Sequence, residues 1–343
     1  MILLDTNVVS EAMRPGANRR VVDWLNAQDL RTLHLSTISL AELGYGIAAL
    51  PDGRRKNELK ARLEATEDRV FGDRILAFDR TAAAEFSERM AAARKAGRSL
   101  VKDFREVENL QVSVKGAGDF VSRADREAER IIKEELRGAR PNYGWLGEET
   151  GMEAGEDPTR RWIVDPLDGT TNFLHGIPHF AISIGVEHLG TIVAGIVYQP
   201  MTDESFWAER GRGAWLQNAR LRVSGRRELD ESLLATGIPY KGHGDQRQFE
   251  SILQKVIPEV AGVRRFGAAS LDLAWVAAGR FDGFWEQGLQ PWDVAAGMLL
   301  VKEAGGFVSD FRGGERMVER REILAANDQI HSKLHKLVGA ALR

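Results

Sequence analysis

The chain has 343 residues, 43% hydrophobic and 28% charged, enough for a packed core in two domains or one large one. Its 47 Lys and Arg against 50 Asp and Glu leave a net charge of −3, so no global basic field draws it to nucleic acid or anionic lipid. The absence of cysteine excludes disulfides, thiolate metal sites and cysteine nucleophiles; with no basic leader and no apolar run of spanning length, a cytoplasmic protein is expected.

Residues 2–4 read as a short buried strand ending in Asp5, with Thr6 and Asn7 able to cap the segment after it. Residues 18–28 have helical spacing through Val21, Val22, Trp24 and Leu25. Residues 33–39 give a second strand, and 41–50 a helix bearing Glu42. After the Pro51-Asp52-Gly53 turn, 56–70 alternates charge like a solvated helix, and 74–78 is a third strand. Strands and helices in alternation imply a parallel sheet, with Asp5 and Glu42 near strand ends on its functional rim.

The opening Met-Ile-Leu-Leu-Asp-Thr-Asn and the Leu-Ser-Thr-Ile-Ser-Leu-Ala-Glu-Leu run resemble the front of a PIN-domain ribonuclease of the VapC-like toxin type. That family gathers about four acids around divalent ions to cleave RNA, and Asp5 and Glu42 match its first two. The resemblance runs through 81–98 and stops. The later acids and closing strands are missing, and Asp103 stands in a different context, Val-Lys-Asp-Phe. Two acids satisfy an octahedral ion and a substrate poorly. Residues 1–90 are therefore expected to form a truncated PIN-like α/β fragment. It would be an antitoxin-binding or self-association module, or a residual ribonuclease resting on Asp5.

A helix over 86–104 forms the joint, with Phe86, Met90, Ala93, Gly97, Leu100 and Phe104 on one face. Gly118–Asp125 leads into a helix striped by Ala124, Ala128, Ile131, Ile132 and Leu136, with Asp125 expected in its first turn. Residues 143–147 give a strand ending in Glu148-Glu149, followed by a polar loop over 151–160. Residues 162–173 then read Trp-Ile-Val-Asp-Pro-Leu-Asp-Gly-Thr-Thr-Asn-Phe: a buried strand, Asp165 at its tip, and a tight turn at Pro166 and Gly169. Two carboxylates three residues apart repel unless a cation sits between them, so a divalent metal is the natural reading of Asp165 and Asp168. The plain alternative is an Asp-Pro turn before a capped helix. Gly169, Thr170 and Thr171 open a short helix whose free N–H groups suit phosphate.

Strands are expected at 180–186, 192–198, 204–209 and 214–223 as an antiparallel meander, then at 233–238, 281–286, 307–311 and 323–326. Helices are expected over 249–260, from Gly267-Ala268-Ala269-Ser270 to Ala278, from Pro291-Trp292-Asp293 to Gly305, and over 329–342. Helices alternating with sheets of mixed direction give a layered α/β sandwich.

Gly-Glu-Glu, Trp-Ile-Val-Asp-Pro-Leu-Asp-Gly-Thr-Thr-Asn-Phe and Trp-Asp-Val-Ala-Ala-Gly, in that order, resemble the inositol monophosphatase family over residues 91–343. The likeness implies a layered αβαβα sandwich behind the PIN-like fragment, and a phosphomonoesterase using two or three Mg²⁺ ions and metal-activated water. Glu148, Asp165 and the Leu167 carbonyl would hold one ion, and Asp165, Asp168 and Asp293 a second. Asp125 would pair with Thr170 to orient water. Gly169, Thr170 and the metal-ligand residues Glu148, Leu167, Asp168 and Asp293 would face the phosphate, while Gly267, Ala268, Ala269 and Glu286 would meet the ring of a small phosphorylated polyol. Myo-inositol monophosphate is the leading substrate; histidinol-phosphate, sugar-bisphosphate and nucleotide 3′-phosphate are the alternatives on the same scaffold. The family likeness also implies lithium inhibition and a homodimer, whereas no membrane partner is expected. Thr150 stands where the family often has Ser, and 317–322 is more charged than its usual loop.

Overall fold

Short apolar runs alternating with amphipathic helices lead the chain. The computed structural model describes residues 2–4, 6–14, 16–29, 32–36, 39, 43, 47, 53–66, 71, 75–76, 80–110, 117–239 and 244–342. It separates into two units, Met1–Ser87 and Glu88–Arg343.

The first unit contains β1 (Ile2–Leu3), α1 (Thr6–Ala12), α2 (Arg19–Asn26), β2 (Leu33–Ser36), α3 (Arg54–Ala65) and β3 (Ile75–Leu76). The strands form one sheet in the order β1-β2-β3, parallel throughout, as the alternation of strands and helices implies. Leu4, Val9, Met13, Leu33, Leu35, Leu43 and Phe71 fill its core. The Asn18 side chain accepts from Arg20 N at 3.0 Å and starts α2, a cap that helix propensity alone would not supply. Asp5 and Glu42 lie outside the described residues, as does most of the helix expected over 41–50.

The joint helix, α4 (Arg80–Leu110), is longer than expected and contains the boundary between the units. In the second unit, Ala92, Ala93, Ala96 and Leu100 on it are fully buried. Arg89, also buried, meets Glu209 at 3.2 Å. Gly97 lets the helix come close: a Cβ there would stand 2.6 Å from the ring of Tyr198.

The second unit continues through α5 (Ala117–Ala139), β4 (Tyr143–Gly147), β5 (Gly151–Glu153), β6 (Asp157–Asp168), α6 (Thr170–Leu174), β7 (Ala181–His188), β8 (Thr191–Gln199), β9 (Glu204–Glu209), β10 (Gly213–Leu216) and β11 (Ala219–Arg220). It then forms β12 (Leu233–Thr236), α7 (Gln246–Val256), β13 (Gly262–Arg264), α8 (Ala269–Ala277), β14 (Gly283–Gln287), α9 (Pro291–Glu303), β15 (Phe307–Ser309), α10 (Met317–Arg320), β16 (Glu322–Ala326) and α11 (Asp328–Ala341). Eight strands in the order β11-β10-β9-β8-β7-β6-β4-β5 make one sheet, and five in the order β13-β12-β14-β16-β15 make another. The meander from β6 to β11 is antiparallel, whereas β4 joins β6 in parallel.

Between the sheets lie α8 and α9, hydrophobic all round and buried almost throughout, as a central layer must be. A core of Phe206, Leu271, Leu273, Phe284, Leu299, Leu300 and Ile323 surrounds them. Outside the five-stranded sheet, α7 and α11 pack through Ile252, Val256, Ile330, Leu334 and Val338 onto Trp285 and Leu324. On the far side of the large sheet, Phe104 of α4 meets Phe173 and Phe180 at ring separations of 5.5 and 5.2 Å. The result is the expected αβαβα sandwich.

Several local expectations change. Asp125 is not in the first turn of its helix: α5 already begins at Ala117, because Gly118 costs a helix entropy without blocking it. The polar loop expected over 151–160 is β5 and the start of β6, whose outward residues are charged and so resemble loop. A short α10 replaces the charged loop, and β13 is too short to show a pattern in the sequence.

Candidate functional site

The site grows from a fault in one strand. Along a strand, side chains alternate, so Asp165 and Asp168, an odd number of residues apart, belong on opposite faces. Asp165 pairs with Ser183 and Asp168 with Ala181, so two residues of β6, Pro166 and Leu167, oppose one of β7, Ile182. This bulge absorbs the odd residue and returns both acids to one face. Pro166, which has no N–H to offer the ladder, sits inside it. The tight turn expected here is thus a bulge within a continuous strand, and Asp165 accepts from Leu167 N at 2.9 Å across it.

Gly169 comes next at φ +93° and caps α6; a Cβ there would come within 2.9 Å of the His179 carbonyl. The Thr170 hydroxyl donates to the Leu167 carbonyl at 2.9 Å. Asn172 donates to the carbonyls of His179 at 2.8 Å and Phe266 at 2.7 Å, tying this turn to the one at Gly267. From that second turn, Ser270 donates to Asp168 Oδ2 through its N–H at 2.7 Å and its hydroxyl at 2.5 Å.

Sheet register brings up Glu148. Gly147 pairs with Val164 in parallel, so the next residues, Glu148 and Asp165, are neighbours, and Glu148 N donates to Val164 O at 3.1 Å. Asp293 arrives on α9. It is the third residue of that helix and closes a capping box, accepting from Gln290 N at 2.7 Å. Small residues allow this approach: Ala295 faces Gly185 and Ala296 faces Gly195, where a Cβ would lie 2.8 Å from Ala296 Cα. Ser183 clamps the helix start by donating to Trp292 O at 3.1 Å. Asp125, buried on α5, has one oxygen, Oδ1, without a hydrogen-bond partner. Glu286 ends up beside Gly237, where a Cβ would fall 1.8 Å from its carboxyl.

These carboxyls feel one another. Burial, then the charges of Glu148, Glu149 and Glu129, push Asp125 up to about 9. Burial, reinforced by Glu148, Asp168, Asp293 and Asp125, lifts Asp165 well above the carboxylate range. Glu148 rises through lost hydration, opposed by its hydrogen bond with Asp165. Asp168 rises with burial against the pull of Ser270, and Asp293 with burial and the charge of Asp168. Glu286 is pushed to about 8 by burial and by Asp293 and Asp168. Gathered acids, each raising the next, call for positive charge.

No three Asp, Glu or His among the described residues close into a complete ligand group. The donor chemistry still fits a hard cation: carboxylate and carbonyl oxygens, no thiolate or imidazole, and a buried Asp125 oxygen without a partner.

A model of the inositol monophosphatase family matches residues 81–343. The chain belongs to that family. Inositol-1-monophosphatase of Mesorhizobium japonicum is 58% identical over 247 residues, 72% of this chain and 93% of that protein. Nus factor SuhB of Pseudomonas aeruginosa is 45% identical over 249 residues, 71% of this chain and 92% of its own. The crystal structure of extragenic suppressor protein suhB from Bartonella henselae, 55% identical, covers 74% of this chain and 98% of its own, with a TM-score of 0.70. A PIN domain model matches residues 2–104, overlapping the inositol monophosphatase match within α4. As an inositol monophosphatase family member, the second unit is a phosphatase acting on phosphorylated substrates. No described helix is long and apolar enough to cross a membrane.

Three residues near the family site escaped the sequence reading. Ser270 looked like part of a helix start rather than a hydrogen-bond donor to Asp168. Asp272 is a buried acid in the otherwise apolar α8, with neither oxygen partnered, and that solitary charge was the signal. Glu129, fully buried, stands four residues after Asp125 on the inner face of α5, where an acid within an apolar stripe could have revealed it.

Proposed function

We propose that residues 91–343 form a Mg²⁺-dependent phosphomonoesterase that hydrolyses myo-inositol monophosphate to inositol and phosphate. What carries this reading is the convergence of Glu148, Asp165, Asp168 and Asp293, from the turn after β4, from β6 and from α9, into mutually raised carboxyls. Glu148, Asp165 and the Leu167 carbonyl would hold one ion; Asp165, Asp168 and Asp293 would hold another. Bound there, the ions would supply Lewis-acid activation of water and neutralise charge on the phosphoryl group.

The chain's own groups do the rest. Asp125 holds an unpartnered oxygen near Glu148, where with Thr170 it would orient a water. The main-chain N–H groups of Gly169 and Thr170 would offer donors to phosphate oxygens, and the Asn172 bonds tie that turn down. Ser270 fixes Asp168 through two bonds to Oδ2. Glu286, above Gly237, and the Gly267–Ala269 turn present the acceptors and surface for a polyol ring. The name of the Mesorhizobium relative supports inositol as that ring.

Phosphate release from a panel of inositol, histidinol, sugar and nucleotide monophosphates, with and without Mg²⁺, tests the reading. Inositol monophosphate should lead with Mg²⁺, lithium should inhibit, and Asp165→Asn should remove turnover. Metal-dependent turnover that survives Asp165→Asn rejects it. Residues 1–90 are proposed as a non-nucleolytic binding module, so capture of a cognate antitoxin peptide should survive Asp5→Asn. The SuhB name of the Pseudomonas relative favours a second reading, association with the transcription machinery, which an RNA polymerase pull-down with Asp165→Asn protein would separate from catalysis.

A further inference from the structure

We propose that Glu129 is a positioning residue that sets the Glu148 carboxylate by holding the chain on both sides of it, through the Trp145 indole before it and the main-chain N–H groups of Glu149 and Thr150 after it. The inference rests on the metal-holding role proposed for Glu148. Glu129 is fully buried on α5, and every hydrogen bond it accepts comes from β4 or the turn after it. Its Oε2 accepts from Glu149 N at 2.7 Å. Its Oε1 accepts from Thr150 N at 3.1 Å, from the Trp145 indole N–H at 3.3 Å, and from the Thr150 hydroxyl.

The strand before Glu148 and the turn after it are therefore gripped by one carboxylate. Gly147, the residue just before Glu148, has room for nothing larger: a Cβ would lie 2.4 Å from Glu129 Oε1. One turn further along α5, Lys133 extends the same scaffold. It donates to the Thr150 hydroxyl at 3.3 Å, pairs with Glu153, and lies over the Trp145 ring at 5.4 Å from its centroid. With four donors on its two oxygens, Glu129 has little acceptor capacity left for a substrate or ion. Its work is done through Glu148. Outer partners of metal ligands act in this way, and losing one weakens metal binding about 10- to 100-fold.

The test uses the full-length protein and Mn²⁺ as probe, read by electron paramagnetic resonance without substrate, beside phosphate release at increasing Mg²⁺. Glu129→Gln places an NH₂ against a main-chain or side-chain N–H, so Mn²⁺ affinity should fall about 10-fold or more. Phosphate release should recover as Mg²⁺ is raised. Thr150→Val should weaken binding in the same direction, and Thr150→Ser, which keeps the hydroxyl, should bind as wild type. Unchanged Mn²⁺ affinity in folded Glu129→Gln overturns the proposal. Should that variant fail to fold, wild-type affinity in Thr150→Val overturns it instead. A wild-type protein that binds no Mn²⁺ removes the metal role of Glu148, and this inference with it, before any substitution is compared.

Discussion

Ser270 acts on the candidate site through Asp168. Its N–H and hydroxyl both end on one oxygen of Asp168, so Ser270→Ala leaves that carboxylate half held. A hydrogen bond to a charged group contributes about 1.5–3 kcal/mol. Steady-state kinetics of Ser270→Ala should therefore show turnover at fixed metal reduced by at least about 10-fold, and no change would remove Ser270 from the site. The raised carboxyls have a consequence for stability. Asp125 and Glu286 move from the ordinary carboxylate range, about 4, to about 9 and about 8. Groups shifted upward give stability that is whole below the unfolded value and is lost as pH climbs through the folded one. Calorimetry in EDTA should show the melting temperature falling between pH 5 and 9, and added Mg²⁺ should flatten the decline. A melting temperature that rises with pH in EDTA would contradict the cluster. These shifts were not legible in the sequence, because they arise from acids up to 168 positions apart meeting after folding.

At the scale of elements, the order of strands and helices was largely legible: Val, Ile and Trp runs gave the strands, and Pro291 gave the start of α9. Contacts between elements were not. Nothing in Ser-Ile-Gly-Val or Val-Ala-Gly-Ile reveals that Gly185 and Gly195 are the floor on which α9 rests. Gly195→Ala should force the helix outward, costing about 1–3 kcal/mol in denaturant unfolding and lowering activity further than stability alone explains, because Asp293 rides on α9. Equal loss at an outer glycine such as Gly225, whose Cβ would meet nothing, would argue that the effect is general. Asp125 was the reverse case. It could be read as a candidate, but its place on the helix could not, since Gly118 suggested a later start than α5 has.

For the whole molecule, the layered sandwich was legible because each layer has its own pattern. The helices between sheets are apolar all round, while those outside are amphipathic. Where the two parts of the chain divide was harder to read, because a single helix lies across the join. The Arg89–Glu209 pair marks how early in that helix the second unit begins. Breaking such a buried pair costs about 3–5 kcal/mol. A chain starting at residue 81 should therefore fold and hydrolyse phosphate esters, whereas Glu209→Ala in the full protein should lose stability by that amount. Calorimetry and phosphate release on the two proteins check both, and an inert, unfolded 81–343 would show that the first unit is required.

The bulge in β6 also governs how this gene can change. Trimming a single codon at Leu167 would restore regular pairing with β7, a gentler event for the sheet than many substitutions. The two acids, then two residues apart, would keep one face, but the Leu167 carbonyl that takes the Thr170 hydroxyl would be gone. At this spot, counting matters as much as spelling.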